Sequence, residues 1–254
     1  MSVPPDDRGL TLGHGLFETL LWAEGGFVHW DAHLDRLARG CPLLGLPAPD
    51  RAACRREAEA ALAAAGSPER AAVRLTWTAG SGGRGLDLPA TLEPRLLATA
   101  AALVQPQEPA TLATATVRRN HASPASRLKT LGYLDNVLAR AEARAAGAGE
   151  ALMLNTRGEV ACAAAANVFW IEGGVVRTPA LDCGVLDGIV RGQVLRACAR
   201  LGIPAEEVRV GPEALAGVPV FLTNSLIGVR PVASLDGREL PTSDLVAALA
   251  RAVG

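Results

Sequence analysis

The stretch KTLGYLDNVLARAEARAAGA, from Lys129 to Ala148, contains both the only lysine and the only tyrosine of this chain. Tyr133 follows Lys129 by four residues, and every other basic side chain apart from histidine is an arginine. A guanidinium stays charged at any working pH, whereas an amine can lose its proton and form an imine with an aldehyde. A single lysine among many arginines is therefore what a required amine predicts, although a coding bias against lysine would produce the same composition.

The composition is that of a globular protein with a substantial core. Of its 254 residues, 49% are hydrophobic, enough to build the core of one large domain or two modest ones. The net charge is −1 and the arginines are scattered, so we expect neither nucleic acid nor a membrane as a partner.

The cysteines indicate a reducing compartment and no metal site. They number five and include no Cys-x-x-Cys pair: Cys41, Cys54, Cys162, Cys183 and Cys198. Free thiols are the simplest interpretation, and a zinc site is not expected. Residues 1–7 are polar and contain proline, unlike the apolar core of a signal peptide, so we expect a cytoplasmic protein.

Hydrophobic periodicity and turn residues predict strands and helices in irregular order. Strands are expected at 16–23, 27–30, 72–78, 95–101, 113–117, 151–154, 160–162, 167–171, 175–178, 218–223 and 229–232. Helices are expected at 30–40, 50–65, 132–146, 189–201 and 242–253. This mixture favours an α+β fold. The two prolines of the segment 105–109 mark a linker, which predicts a small domain at 1–104, a linker at 105–112 and a large domain at 113–254.

A glycine-rich loop follows the predicted strand at 72–78. Gly80, Gly82 and Gly85 match the spacing of a dinucleotide-binding loop, but Leu86-Asp87-Leu88-Pro89 follows where a helix should begin. That mechanism needs the N-terminus of a helix directed at the pyrophosphate. The loop of a hairpin is therefore the better interpretation.

Six segments in order resemble the class IV aminotransferases, the pyridoxal-phosphate enzymes of fold type IV. They read GLFETL at 15–20, HLDRL at 33–37, KTLGYLDNVLARAEARAAGA at 129–148, CAAAANVFW at 162–170, CGVLDGIVRG at 183–192 and TNSLIGVRPV at 223–232. The resemblance implies a two-lobed α+β fold, with a small N-terminal α/β sandwich and a larger, barrel-like C-terminal domain flanked by helices. It also implies pyridoxal 5'-phosphate as the cofactor and a homodimer as the assembly.

The resemblance implies a catalytic amine and a phosphate-binding set. Lys129 matches the lysine that holds the cofactor aldehyde and moves the substrate proton, and Tyr133 matches a hydroxyl that hydrogen-bonds the cofactor ring oxygen. Arg36 matches the phosphate-binding arginine, since a guanidinium donates in a planar fork. The N-terminus of a helix at Gly188, Ile189 and Val190 also suits a phosphate. Ser225 would add a hydroxyl, with Thr223 and Asn224 as alternatives at the same turn.

One departure concerns the cofactor ring. The family carries glutamate five residues before the asparagine of its N-x-F segment, facing the pyridine nitrogen. Here that position is Cys162, and a thiol is at best a weak hydrogen-bond partner. Glu159 has the wrong offset, because an odd spacing along a strand points to the other face. His14 also replaces a usual aspartate.

Three activities recur in this family: 4-amino-4-deoxychorismate lyase, branched-chain aminotransferase and D-amino-acid aminotransferase. Aminotransferases should depend strongly on a protonated ring, whereas the lyase forms an aromatic product and tolerates a weaker electron sink. Cys162 and the segment TNSLIGVRPV therefore favour the lyase, with an aminotransferase as the alternative. A degenerate cofactor-binding homologue is a further alternative. Arg118, Arg119, His121 and Arg127 precede the lysine and are candidates for contacts with a dicarboxylate, or ordinary surface residues.

Overall fold

Two units with separate sheets make up the chain. Residues 1–104 and Leu128–Gly132 form the first unit, and residues 105–127 and 133–254 form the second. The computed structural model describes residues 3–82, 85–104 and 108–253. The predicted large domain included Leu128–Gly132, which the structure groups with the first unit because these residues hydrogen-bond to its sheet.

The first unit is an antiparallel sheet with helices. Its strands, in the order β2-β1-β3-β4, are β1 (Gly15–Ala23), β2 (Gly26–Phe27), β3 (Ala71–Thr78) and β4 (Arg95–Ala102). Its helices are α1 (Arg8–Leu12), α2 (Trp30–Gly40) and α3 (Arg51–Ala64). Leu20, Leu34, Leu62 and Leu75 are among the apolar side chains that join β1, α2, α3 and β3 in one core. Asp50 caps α3 by accepting from the backbone N–H of Ala53, as expected of an aspartate at this position.

The segment that contains Lys129 pairs with the first residues of β1. The backbone N–H of Phe17 donates to the carbonyl of Lys129 at 2.9 Å, and that of Leu131 donates to the carbonyl of Gly15 at 3.0 Å. Thr130 pairs with Leu16 in an antiparallel bridge. Two backbone hydrogen bonds therefore hold the lysine in register with β1.

The second unit is built on a larger mixed sheet. Its strands are β5 (Ala110–Thr114), β6 (Glu150–Leu154), β7 (Val160–Ala163), β8 (Asn167–Glu172), β9 (Val175–Pro179), β10 (Ala205–Val208), β11 (Val220–Asn224), β12 (Gly228–Leu235) and β13 (Arg238–Glu239). The order is β10-β9-β8-β11-β12-β5-β6-β7, with β13 on β12. Its helices are α4 (Leu134–Ala145), α5 (Ile189–Leu201) and α6 (Asp244–Val253).

Strands β8 and β11 contribute to two cores because their side chains alternate. Val168, Trp170 and Leu222 belong to one buried cluster, whereas Phe169 and Phe221 stack at 5.0 Å and pack with residues of α5 and α6. Side chains on both faces are buried, so these strands read as continuous apolar runs. No helix among the described residues is long and apolar enough to cross a membrane.

The structure corrects the limits of some predicted elements. β5 begins at Ala110, three residues before the predicted strand at 113–117 and inside the predicted linker, because Ala110 and Leu112 alternate into the core. Residues 105–107 of that linker lie outside the described ranges. The predicted strand at 27–30 is shortened, since Trp30 begins α2. The short elements α1, β10 and β13 were not predicted.

The glycine-rich loop joins β3 and β4, which are antiparallel neighbours. Between 85 and 94 no helix follows it, which agrees with the hairpin interpretation, while residues 83 and 84 lie outside the described ranges. Gly80 has φ +76°, and a Cβ there would approach the carbonyl oxygen of Glu93 to 1.8 Å. Glycine at this position therefore satisfies both a left-handed backbone and a close backbone approach.

We predict that Gly80→Ala lowers the free energy of unfolding by about 3 kcal/mol or more, because backbone atoms must move to admit the new methyl group. Gly25→Ala is the matched control, since Gly25 has φ +74° but nothing lies within 4 Å of the place that its new methyl group would take. It should lose only about 1 kcal/mol. Urea denaturation measures both, and equal losses would contradict the steric argument.

Candidate active site

Lys129 lies beside an aromatic ring and a second cation. Its Nζ is 4.2 Å from the ring centroid of Phe17, and the guanidinium carbon of Arg74 is 3.6 Å from the same centroid. Burial lowers the pKa of Lys129 to about 8. The negative charge of Glu18 raises this pKa, whereas the positive charges of Arg36 and Arg74 lower it further. A substantial fraction of the amine is therefore neutral near physiological pH, as a nucleophile or base requires.

Glu18 is a buried carboxylate held by two side chains of α2. Arg36 donates to both oxygens, from Nε to Oε1 at 2.8 Å and from a terminal nitrogen to Oε2 at 2.6 Å. The Nδ1 atom of His33 is 2.7 Å from Oε2. Burial alone would raise the pKa of Glu18, but Arg36 and His33 lower it to about 2. The carboxylate thus fixes the planar guanidinium of Arg36 in one orientation.

The segments GLFETL and HLDRL place these groups by their spacing. Leu16, Glu18 and Leu20 alternate on β1, so the carboxylate shares a strand face with buried leucines. His33 and Arg36 are three residues apart on α2 and therefore lie on one side of the helix. Sequence reasoning named Arg36 but missed Glu18, His33 and Arg74. An acidic residue within an otherwise apolar strand was the available signal for Glu18.

In the second unit, α5 begins without a side-chain cap. Gly188 is its N-cap residue and, as a glycine, makes no side-chain cap to the first backbone N–H groups of the helix. A Cβ at Gly188 would lie 1.9 Å from Oδ1 of Asn167, whose Nδ2 donates to the carbonyl of Leu186 at 2.9 Å. The first backbone N–H groups of a helix and its dipole favour an anion at this end.

Thr223 of β11 lies next to Asn167 in the sheet of the second unit. It is opposite Asn167 in the pairing of β11 with β8, and only 1% of its surface is exposed. Its Oγ1 has no hydrogen-bond partner within the described part of the chain. A buried hydroxyl without a partner is unfavourable unless a ligand supplies one. Ser225, the residue named from sequence, follows β11 directly.

Cys162 lies on β7 opposite Met153 and is buried. Burial is the main influence on the pKa of its thiol and raises it. The charge of Arg119 lowers this pKa and that of Glu150 raises it. Because the net effect is a rise, the side chain is neutral at physiological pH. Glu159, the carboxylate nearest to Cys162 in the sequence, accepts hydrogen bonds from Asn155, at 2.7 Å, and from Arg157. That carboxylate is therefore engaged in the turn before β7.

The remaining residues singled out in the sequence have varied surroundings. Tyr133 is half-buried at the N-cap position of α4 and makes no side-chain cap there. The guanidinium of Arg119 donates to the carbonyl of Gly184 and to Oδ1 of Asn136, so it has a structural role. Arg118 and Arg127 are exposed.

His14, at a position where the resemblance implies an aspartate, makes two structural contacts. Nε of Arg8 donates to its Nδ1 at 3.2 Å, and its Nε2 is 2.8 Å from the carbonyl oxygen of Leu44. These contacts require the tautomer that carries its proton on Nε2. Arg8 also donates to the carbonyls of Gly85, Leu86 and Asp87, so it anchors the end of the glycine-rich loop.

Comparisons with known proteins agree with this arrangement of elements and motifs. The profile of the family described as amino-transferase class IV matches residues 15–235. Aminodeoxychorismate lyase of Vibrio harveyi is 27% identical over 243 residues, 93% of this chain and 89% of that protein. D-alanine aminotransferase of Listeria monocytogenes is 29% identical over 242 residues, 93% of this chain and 83% of that protein.

A solved structure is also similar to this chain over nearly its whole length. The branched-chain aminotransferase of Thermoproteus uzoniensis, crystallised with norvaline, superimposes with a TM-score of 0.91 at 27% identity, covering 99% of this chain and 88% of that one. The chain therefore belongs to the class IV aminotransferase family and has the α+β architecture of fold type IV, as predicted. It is an enzyme of a family that depends on pyridoxal 5'-phosphate. The chain is similar to the lyase and to D-alanine aminotransferase to nearly the same degree, at 27% and 29% identity.

Each unit, taken by itself, holds groups that suit part of that cofactor. The lowered pKa of Lys129 suits an amine that meets an aldehyde, and the guanidinium of Arg36 suits a phosphate. In the second unit, the N-terminus of α5 and the Thr223 hydroxyl, which has no partner among the described residues, are donors that suit a phosphate. Cys162 differs, because a neutral thiol cannot form an ion pair with a protonated pyridine.

We predict that Thr223→Val weakens the binding of pyridoxal phosphate about tenfold or more, since one hydrogen bond to a charged group is lost. The stability of the cofactor-free protein should hardly change, because the hydroxyl has no protein partner among the described residues. Thr178→Val is the matched control: its hydroxyl donates to the carbonyl of Val168 at 2.9 Å. It should lose about 1 kcal/mol of stability and keep its affinity. Fluorescence titration and urea denaturation measure the two effects, and unchanged affinity in Thr223→Val would contradict the assignment.

We predict that in the cofactor-free protein Lys129 reacts with amine reagents with a midpoint near pH 8, because the neutral amine is the reacting form. Arg74→Met should raise this midpoint, since removal of a neighbouring cation favours the protonated amine. Arg55→Met is the control: Arg55 also lies over an aromatic ring, at 4.7 Å from Phe27. Mass spectrometry of the Lys129 peptide gives the labelled fraction at each pH. A midpoint near 10.5 in the parent would contradict the lowered pKa.

Proposed function

We propose that this enzyme is a 4-amino-4-deoxychorismate lyase, which releases pyruvate and leaves p-aminobenzoate for folate synthesis. The observation that carries the choice is Cys162, a buried and neutral thiol at the position where the family has glutamate. The similarity to aminodeoxychorismate lyase of Vibrio harveyi over 93% of the chain supports it.

We assign the cofactor contacts as the family resemblance implies. Lys129 would hold the aldehyde carbon, and Tyr133 would hydrogen-bond the ring oxygen. Arg36, the backbone N–H groups of Ile189 and Val190 after Gly188, and Ser225 would bind the phosphate. Thr223 joins this set because its buried hydroxyl has no partner among the described residues. Cys162 would lie near the ring nitrogen.

In this proposal Lys129 is the general base. Its amine takes the proton from the carbon that bears the substrate amino group, and the C–O bond to the enolpyruvyl group breaks. The departing enolpyruvate takes up a proton and becomes pyruvate, so the elimination consumes no 2-oxo acid. The pKa of about 8 leaves enough neutral amine for this step near physiological pH.

Cys162 favours elimination over transamination. When bound, the cofactor withdraws electrons from the substrate carbon, and it does so more strongly if the ring nitrogen is protonated. A thiol whose pKa is raised by burial cannot hold that proton as an ion pair. Formation of an aromatic product supplies driving force that transamination lacks. The lyase reaction therefore tolerates cysteine in place of glutamate at this position.

The charge beside Lys129 suits an anionic substrate. Arg74 lies over the Phe17 ring that Lys129 also contacts, so a carboxylate near the amine would meet a second cation. Aminodeoxychorismate carries two carboxylates. The resemblance also favours a homodimer, and the five free cysteines support a cytoplasmic location.

An aminotransferase of D-amino acids or branched-chain amino acids is the second candidate. The observation that favours it is the similarity to D-alanine aminotransferase of Listeria monocytogenes, at 29% identity over 242 residues. A degenerate homologue that binds the cofactor without turnover is the third. It would have the same Cys162 but no activity on either class of substrate.

We predict that the enzyme with its cofactor converts aminodeoxychorismate to pyruvate and p-aminobenzoate without added oxo acid. Coupled reduction of pyruvate and the fluorescence of p-aminobenzoate measure the two products. Lys129→Ala should abolish both products and the visible absorbance that borohydride removes. Transamination with 2-oxoglutarate as fast as elimination would overturn the lyase assignment, and absence of both activities would favour the degenerate homologue.

The same assays test the role of Cys162. Cys162→Glu should raise transamination about tenfold or more, which corresponds to ~1.4 kcal/mol of transition-state stabilisation. Cys162→Gln is the control, since it has the size of glutamate without the charge. Equal transamination rates in the two variants would show that the charge at this position does not select the reaction.

A further inference from the structure

Arg119 is a half-buried cation that neutral groups hold in place. Its Nε donates to the carbonyl of Gly184 at 3.3 Å. Its terminal nitrogens donate to Oδ1 of Asn136, at 3.1 Å, and to the carbonyl of Ser126. None of these three acceptors is a carboxylate. Within the described ranges these hydrogen bonds therefore fix the guanidinium without neutralising its charge, and a guanidinium stays protonated at any working pH.

The register of β6 relates Arg119 to Cys162, the residue at the usual glutamate position. Arg119 forms a bridge with Asn155, the residue after β6. Cys162 of β7 pairs with Met153 of β6. Paired residues share a face of the sheet, and so do residues two apart along a strand, such as Met153 and Asn155. The side chains of Arg119 and Cys162 therefore lie on the same face of the sheet in the second unit.

Asn136 of α4 connects Arg119 to the surroundings of Cys162. Its Oδ1 accepts from Arg119, and its Nδ2 donates to the carbonyl of Ala164 at 2.7 Å and lies 3.9 Å from Sδ of Met153. Ala164 belongs with Cys162 to one buried cluster. Asn136 and Cys162 are both buried, so solvent screens the charge of the guanidinium only weakly at this position.

The carboxylates near Cys162 already have partners. Glu150 of β6 forms an ion pair with Arg140 of α4. Glu159 accepts from two side chains in the turn before β7. The positive charge of Arg119 lowers the pKa of the Cys162 thiol, whereas the negative charge of Glu150 raises it. The charge of the guanidinium therefore acts on whatever group lies at this position.

We propose that Arg119 keeps the ring nitrogen of the bound cofactor unprotonated. This inference rests on the proposed position of Cys162 near that nitrogen. A glutamate at position 162 would be an anion that offsets the charge of Arg119. Cys162 supplies no such charge, and a nearby cation opposes the protonation of a pyridine. In the proposed function this state of the ring favours elimination over transamination.

The protonation of the ring nitrogen can be measured directly. Cofactor-free protein is loaded with pyridoxal phosphate that carries ¹⁵N in its ring, and the chemical shift of this nitrogen distinguishes the protonated from the neutral form. In the parent protein the ring should be neutral at neutral pH. A protonated ring under these conditions would overturn the proposal, and this measurement needs no variant.

Substitutions at position 119 separate the charge from the hydrogen bonds. Over a titration, Arg119→Gln should raise the ratio of protonated to neutral ring about tenfold at a given pH, because it removes a nearby cation. Arg119→Lys keeps the charge and should resemble the parent protein. Arg118→Met is the matched control, since Arg118 is exposed and donates to the carbonyl of Ala115 at 2.6 Å. A ratio in Arg119→Gln equal to that in Arg119→Lys or in Arg118→Met would overturn the role of the charge.

The ring measurement and the product assays can fail separately. A neutral ring that responds to Arg119→Gln in an enzyme that transaminates would support this inference and overturn the lyase assignment. A protonated ring in an enzyme that releases pyruvate would overturn this inference alone. Cys162→Glu checks the position of the ring, because a carboxylate beside the nitrogen should hold its proton. A neutral ring in that variant would overturn the position of Cys162 on which the inference rests.

Discussion

The backbone pairing of residues 129–131 with β1 is the constraint on which the reactive amine depends. The carbonyl of Lys129 accepts from Phe17, and the N–H of Leu131 donates to Gly15, so the lysine lies in a turn whose backbone is paired with a strand, and not in a free loop. Reactive groups are held more accurately by regular elements than by loops. The pairing also determines that the amine contacts Phe17, and through this ring it is near Arg74.

The charges around this amine have opposing effects, and their balance gives it a usable pKa. Glu18 alone would stabilise the protonated lysine, but Arg36 takes both oxygens of that carboxylate and acts on Lys129 in the other direction. Nδ1 of His33 contacts the same carboxylate from the same side of α2, at 2.7 Å. A buried carboxylate with two partners is strongly destabilised if either is removed. The three residues therefore act together, and substitutions among them are not expected to be additive.

Local signals were sufficient for much of the fold. The helices at Trp30–Gly40 and Ile189–Leu201 were predicted with the limits that the structure shows, because glycine follows or ends each apolar stripe. β5 was misplaced, since alanine and threonine around residue 112 provide little contrast between buried and exposed positions. The functions of Glu18 and Thr223 required tertiary information. The partners of Glu18 come from another element, and the lack of a partner for the Thr223 hydroxyl within the described ranges is visible only when its surroundings are known.

The first unit is discontinuous along the chain, and this affects its assembly during synthesis. Residues up to 104 leave the ribosome first, but β1 gains the pairing at its edge only after residues 128–132 have followed. Until then the backbone groups of Gly15 and Phe17 that bind this segment remain available to other strands. The nascent chain thus exposes a strand edge during the translation of some twenty-five further residues, and the arrival of the lysine closes it.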